Sequence, residues 1–117
     1  MNQQNFNEHN WKLFKQRIPK WQEAYMNKLN EEYIQLLSEN EAPSHKFWKL
    51  ERRIKKDKNR AGVQVELRRS MMFLNLINLI NEEAITLTDL DGFSDGLRER
   101  LEVYFKYKED EFCNPDE

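Results

Sequence analysis

Residues 63–85 (VQVELRRSMMFLNLINLINEEAI) form a nearly continuous apolar run, which constrains the fold more than any other segment. Between Met71 and Ile80, every residue except two asparagines is apolar. The run is too long for one strand and is rich in good helix formers, so we predict a central helix over residues 63–81. Its apolar side chains cover roughly 220° of the helix circumference, which requires neighbouring elements on several sides.

The wide apolar sector predicts burial of four side chains: Phe73, Leu76, Ile77 and Ile80. The two asparagines, Asn75 and Asn78, are expected to lie nearest solvent. A membrane-spanning helix is the rival interpretation, but a span needs about 20 predominantly apolar residues. Arg68 and Arg69 interrupt this run. With one cysteine and no secretory leader, the sequence predicts a cytoplasmic protein without a membrane segment.

A long first helix is predicted before this run. From Trp11 to Leu36, apolar residues recur at spacings of three and four, which is typical of one helix face. Asn7 or Asn10 is a candidate N-cap. Pro19 removes a backbone donor inside this pattern and clashes with the preceding turn, so we expect the helix to be kinked or split near Pro19.

A second helix is predicted over residues 45–58, after a loop that ends at Pro43. Ser44 is the candidate N-cap, and Phe47, Leu50 and Ile54 form the apolar stripe. The segment that follows, DKNRAG (57–62), indicates a polar connection in which Asn59 and Gly62 can adopt left-handed conformations. The alternative is a helix that continues through Ala61.

The last part of the chain predicts a tight turn and a final helix. Within residues 85–94, Thr86 and Asp89 have the spacing of a capping box. Thr88 and Asp91 have the same spacing and give a second possible register. A short helical turn near 86–92 is compatible with either register. Ser94 is then the N-cap of a helix over residues 95–108. The whole pattern predicts an all-α bundle of about four helices in a single domain (1–117), with flexible ends at about 1–6 and 109–117.

The residues that carry chemistry do not form a recognisable catalytic pattern. His9 and His45 fall on different predicted elements, and Cys113 lies in an acidic tail where nothing positive would stabilise a thiolate. The sequence has no glycine-rich phosphate loop. We therefore predict a protein that is not an enzyme, with no catalytic, cofactor-binding or metal-binding residues and no cofactor.

Charge is unevenly distributed along the chain. Residues 45–69 hold ten Lys/Arg against three acids, whereas residues 70–117 hold four against twelve. Six cations fall on one side of the predicted second helix and form a basic stripe: Lys46, Lys49, Arg52, Arg53, Lys56 and Arg60. This stripe is a candidate contact for nucleic acid, with Trp48 available to stack on a base, or for an acidic partner such as the C-terminal segment.

The aromatic face of the first helix is predicted to be core, yet its length calls for more burying surface than two short helices supply. A homodimer is the simplest solution, because most soluble oligomers have two-fold symmetry. The candidate self-association residues are Trp11, Phe14, Ile18, Trp21 and Tyr25.

Three segments, WQEAYM (21–26), KFWKLERRIKKDK (46–58) and ITLTDLDGFSDGL (85–97), resemble a family of small helical uncharacterised proteins from Gram-positive bacteria. Some members carry a "multidrug transporter" label, which this polar chain contradicts. The resemblance implies a bacterial cytoplasmic setting and no functional residues. The hypothesis we favour is a non-enzymatic interaction protein that self-associates or binds a protein partner; the alternative is a nucleic-acid-associated protein using the basic stripe.

Overall fold

The protein folds into four α-helices, as the sequence predicts. A computed structural model describes the backbone of residues 3–113 and the side chains of residues 8–108. The helices are α1 (Gln3–Leu37), α2 (Pro43–Asp57), α3 (Met72–Asn81) and α4 (Asp95–Cys113). Two 3₁₀ turns, Arg69–Met71 and Leu87–Leu90, precede α3 and α4, and no strand occurs over residues 3–113. The all-α class is confirmed, and the short helical turn is found within residues 86–92.

The ends predicted to be flexible, about 1–6 and 109–117, fall partly outside the described residues. α1 already begins at Gln3, so neither Asn7 nor Asn10 is its N-cap, and α4 continues past Lys108 to Cys113. Residues 1–2 and 114–117 are not described.

α1 runs unbroken through Pro19, so of the two predicted outcomes, a kink or a split, the split does not occur. Pro19 is exposed, whereas Phe14 and Ile18 on the same helix are buried. The carbonyl that loses its helical donor at Pro19 therefore lies on the solvent side, where water can satisfy it.

The predicted central helix over 63–81 is too long at its N-terminal end, because α3 begins only at Met72. Residues 64–68 are irregular, and the carbonyl of Glu66 accepts a hydrogen bond from the Asn75 side chain at 3.1 Å. Asn75 is therefore buried, contrary to the prediction, whereas Leu74 beside it is exposed.

The predicted burial of α3 is correct for Leu76 and Ile77, whereas Phe73 and Ile80 are only half-buried. Asn78 is likewise half-buried rather than solvent-facing.

The hydrophobic core is built from the first half of α1, α3, α4 and the segment between α3 and α4. Phe14, Leu76, Leu79, Leu90 and Leu101 are completely buried in it. Of the side chains that the structure describes, none from α2 belongs to this core. α2 pairs instead with the second half of α1 (residues 22–37), and we call this antiparallel helical hairpin the arm.

The arm gives the molecule an extended shape. Its radius of gyration is 17.6 Å, against about 13 Å for a compact domain of this length. The principal extents are 61 × 43 × 21 Å, so the molecule is long and flat.

The start of α4 is fixed by α1. Ser94 is the N-cap, as predicted, because its Oγ accepts the Leu97 N–H at 3.3 Å. Asn10, which is fully buried, accepts the Ser94 N–H and donates to Ser94 Oγ, both at 3.0 Å. The capping box of Thr86 and Asp89 is also confirmed.

Left-handed backbone occurs where the sequence did not indicate it. Glu83, just beyond α3, has φ 64°, and Gly92 has φ 96°. Gly62 and Asn59 are not left-handed, so that prediction is wrong. Gly62 is required for space instead, since an added Cβ would lie 2.3 Å from Cδ2 of Tyr25.

Candidate interaction surface

α2 begins at Pro43, two residues earlier than predicted, and its N-cap is Ala42 rather than Ser44. Proline suits the first helical position because the donor it lacks would be unpaired there. The helix ends at Asp57, so the polar connection that follows is confirmed and Arg60 lies outside the helix.

A buried carboxylate fastens α2 to α1. Asp57 is 2% exposed and accepts a hydrogen bond from the Tyr33 hydroxyl at 2.7 Å. The guanidinium groups of Arg53 and Arg60 contact the same carboxylate at 3.3 and 3.2 Å. Arg53 also contacts Glu32 of α1 at 2.8 Å. Because these contacts join the two helices near mid-length, they hold the arm in a defined geometry.

The charges of this cluster shift its pKa values in consistent directions. Burial and the hydrogen bond to Asp57 raise the pKa of Tyr33 to about 12. Burial alone would raise the pKa of Asp57, but the Tyr33 hydroxyl and the two guanidinium groups outweigh it and lower that pKa. Asp57 is therefore charged and Tyr33 neutral over the physiological range.

The base of the arm is held by a second carboxylate. Glu82 accepts the backbone N–H groups of Ala61 and Gly62, each at 3.1 Å. Gln22 donates to the Ala61 carbonyl at 3.0 Å, and the Tyr25 ring packs against Gly62. The connection after α2 is thus tied both to α1 and to the end of α3.

The arm exposes large apolar side chains that its own packing does not cover. The apolar stripe of α2 exists as predicted, but Phe47 and Ile54 face solvent rather than the core. Exposed fractions run from 43% to 64% for five residues, which we call the arm patch: Ile34, Leu37, Phe47, Trp48 and Ile54. Large exposed apolar side chains concentrated on one helical hairpin mark a candidate binding site.

A groove continues the arm patch toward the base of the arm. It holds about 290 Å³, and its walls include Met26 and Tyr33 from α1 and Ile54 from α2. Val63 closes its lower end. Phe47 lies seven residues before Ile54, so both face the same side of α2. At the tip, the Phe47 and Trp48 rings make an edge-to-face contact with centroids 4.9 Å apart.

The basic stripe is largely engaged by the arm itself. Lys46 donates to the Leu37 carbonyl at 2.9 Å, and Lys49 lies 3.4 Å from Glu41 and 3.7 Å from Glu39. Arg53 and Arg60 contact Asp57, as described above. Among the described side chains, only Arg52 and Lys56 of the six have no ion pair or side-chain hydrogen bond.

The acidic groups observed to contact the stripe lie in residues 32–57, and none comes from the described part of the C-terminal segment, residues 70–108. Their side chains are described, whereas those from residue 109 onward are not. Contact of the other two cations, Arg52 and Lys56, with nucleic acid stays a prediction.

Four of the five predicted self-association residues belong to the core or pack against it, namely Trp11, Phe14, Ile18 and Trp21, and Tyr25 is buried at the base of the arm. Phe14, Ile18 and Tyr25 are buried, Trp11 is 9% exposed and Trp21 is half-buried. Self-association through these five residues stays a prediction. The residues that sequence reasoning missed are those of the arm patch, whose helical spacing is the same as that of core residues.

No catalytic constellation is found among the side chains of residues 8–108. His9 lies 2.9 Å from the Gly92 carbonyl, and His45 lies 3.2 Å from Glu41 on the arm. No group of three or more potential metal ligands occurs in this part of the chain. Over the described helices, none is both long and apolar enough to cross a bilayer.

Comparisons with protein-family models, with curated proteins and with solved structures find no match to this chain. The resemblance to the Gram-positive family therefore stays a prediction, and the structure is the basis for assigning function.

Proposed function

We propose that this chain is a non-enzymatic interaction protein that binds a protein partner, or a second copy of itself, through the arm patch. The observation that carries the proposal is the exposure of five large apolar side chains on an arm that contributes nothing to the described core. The bacterial cytoplasmic setting suggested by the sequence is part of this proposal.

The geometry of the arm supports this function. The Asp57 cluster and the Glu82 contacts hold the arm patch in place before a partner binds. A surface held in this way loses little conformational entropy on binding, which favours affinity. Two adjacent helices with a groove between them are also a common docking site for an amphipathic helix.

Affinity capture tests the proposal. The chain is used as bait in cells that express it naturally, alongside a variant that carries Ile34→Ser and Phe47→Ser in the arm patch. A matched control carries Leu74→Ser and Val103→Ser, which are exposed apolar positions away from the arm. We expect a defined protein, or the chain itself, to be retained by wild type and control but lost with the arm variant. Equal retention by all three baits would contradict the proposal.

The nucleic-acid alternative receives less support. A protein that neutralises several phosphates needs several free cations, because each neutralised phosphate adds to the affinity. Four of the six cations of the basic stripe are already engaged by acceptors within residues 32–57.

A further inference from the structure

We infer that a cleft between the end of α3 and α4 binds a small molecule with an apolar body and a terminal carboxylate. The cleft shares no residue with the arm patch, so the inference goes beyond the proposed function. Its support is a set of apolar walls that the fold leaves uncovered, together with two hydrogen-bond donors at the rim.

The walls of the cleft come from three segments. α3 contributes Ile80, α4 contributes Phe105, and the segment between the two helices contributes Ile85 and Leu87. Ile80, Leu87 and Phe105 are half-buried, because each packs one side against the core and leaves the other side on the cleft. The cleft holds about 440 Å³ and is open to solvent on one side. A cavity of about 150 Å³ lined by apolar side chains holds benzene, so this cleft has room for a body of roughly ten carbon atoms.

The backbone beside the cleft is held in an unusual conformation. The Ala84 N–H donates to the Leu79 carbonyl at 2.9 Å, and the Glu83 N–H donates to the Ile80 carbonyl at 3.0 Å. These two hydrogen bonds close the end of α3 as a Schellman motif, in which the left-handed residue is usually glycine. Here that residue is Glu83, with φ 64°. Side chains in this conformation are strained and are concentrated at ligand sites.

Two donors lie side by side at the rim of the cleft. Lys108 of α4 donates from Nζ to Oδ1 of Asn81, at the end of α3, at 3.1 Å. An ammonium group only donates, so Asn81 presents its oxygen to Lys108 and its amide nitrogen remains a donor beside the charge. Within residues 8–108, neither side chain has an ion pair or another side-chain hydrogen bond. Two adjacent donors, one of them charged, match the two oxygens of a carboxylate.

The acidic residue at the cleft does not cancel this preference. Glu83 also lines the cleft, but it is exposed, whereas Lys108 is half-buried. Water and salt screen an exposed charge more strongly than a half-buried one, so the ammonium group dominates at the rim. A carboxylate is therefore selected over an amine. Straight-chain and aromatic carboxylates share this chemistry.

NMR titration of the whole chain tests the inference and separates the two kinds of ligand. The probes are decanoate, 1-naphthoate and decylammonium, and the methyl signals of the isoleucines and leucines are followed. We expect at least one carboxylate to shift the signals of Ile80, Ile85 and Leu87, with a dissociation constant of roughly 100 μM. The tighter of the two carboxylates shows whether the body is straight-chain or aromatic. Decylammonium should bind roughly tenfold more weakly.

Three results would overturn the inference. One is the absence of any shift with either carboxylate up to about 5 mM. Another is binding of decylammonium as tight as that of the carboxylates. The third is a set of shifts confined to the arm patch, which would show that the probes bind exposed apolar side chains without using the cleft.

Asn81→Asp isolates the role of the donors at the rim. The aspartate still accepts from Lys108, but it replaces the free amide nitrogen by an oxygen that repels an anion. We expect carboxylate binding to weaken by roughly tenfold or more. Asn27→Asp makes the same change at an exposed position of α1 and should bind like wild type, as should the variant with Ile34→Ser and Phe47→Ser. Equal affinity of the Asn81 and Asn27 variants would contradict the assigned site.

Lys108→Gln is the second variant, since it removes the charge and keeps a side chain of similar length. It should weaken binding of the carboxylates by roughly tenfold, while Lys106→Gln, an exposed lysine of α4 that does not line the cleft, should leave it unchanged. Circular dichroism checks that each variant is folded. If Lys108→Gln and Lys106→Gln bind alike, the charge at the rim has no role and the inference fails, while the proposed function of the arm patch stands.

Discussion

Replacing Asp57 by Asn tests whether the buried carboxylate fastens the arm. The change removes the charge that Arg53 and Arg60 contact at 3.3 and 3.2 Å while keeping one acceptor for the Tyr33 hydroxyl at 2.7 Å. Removing one partner of a fully buried ion pair costs about 3–5 kcal/mol. Both arginines are about one-third exposed, and Arg53 retains Glu32, so water and Glu32 compensate part of the loss. We expect a loss of about 2 kcal/mol in the free energy of unfolding.

The assay is thermal unfolding followed by circular dichroism. With an unfolding entropy of about 2.1 cal/mol/K per residue, 2 kcal/mol corresponds to a fall in Tm of roughly 8 °C. The pKa of Asp57 is lowered in the folded protein, so its contribution is fully present above the unfolded pKa and is lost as the pH falls through the folded pKa. The difference between wild type and variant should therefore be full at neutral pH and shrink in acid.

Glu66→Gln is the matched control, since it removes an ion pair to Arg68 in which both side chains are more than half exposed. Such a pair contributes about 0–1 kcal/mol, so this variant should melt within a few degrees of wild type. A Tm for Asp57→Asn as close to wild type as that of the control would refute the fastening role.

Three further predictions concern the rest of the molecule. Gly62→Ala forces a Cβ to within 2.3 Å of the Tyr25 ring, so we expect a loss of about 1–3 kcal/mol, measured by chemical denaturation; an unchanged midpoint would contradict that packing. Asn10→Ala removes both hydrogen bonds to Ser94 and should destabilise the protein by about 2 kcal/mol and speed amide exchange at the start of α4; unaltered exchange there would argue against this link. Fluorescence anisotropy should detect no binding to mixed-sequence DNA or RNA at about 50 mM salt, because so few cations of the basic stripe are free; salt-sensitive binding would restore the nucleic-acid alternative.

Local signals in the sequence predicted the local structure well. The 3.6-residue periodicity located the helices. The Thr86–Asp89 capping box and the Ser94 cap are each formed by residues three positions apart, so both can be recognised from the sequence alone. The sequence left open whether Pro19 splits the helix, because the effect of a proline depends on whether the affected carbonyl is exposed, and that depends on the tertiary fold.

The long-range contacts had no signal in the sequence. Asn10 and Ser94 are 84 positions apart, and Glu82 reaches the backbone of residues 61–62. The role of Asn75 also depends on a partner outside α3, which is why an asparagine expected near solvent is buried.

The binding surface illustrates a general ambiguity of periodicity. Phe47 and Ile54 lie seven residues apart and Phe14 and Ile18 lie four apart, both of which are helical repeats, yet the first pair is exposed and the second buried. A periodic apolar face shows that something covers it, but not whether the cover belongs to the same chain. The structure was needed to show that α2 contributes no described residue to the core.

Fluorine NMR of the three tryptophans tests the central claim most directly, because Trp48 belongs to the arm patch while Trp11 and Trp21 lie in the core region. The protein is labelled with fluorotryptophan, and the three signals are assigned by single Trp→Phe variants. As the protein concentration is raised, we predict that the Trp48 signal shifts and becomes less accessible to solvent while the other two stay constant. A Trp48 signal that remains fixed and solvent-accessible at every concentration would contradict a second copy on the arm patch.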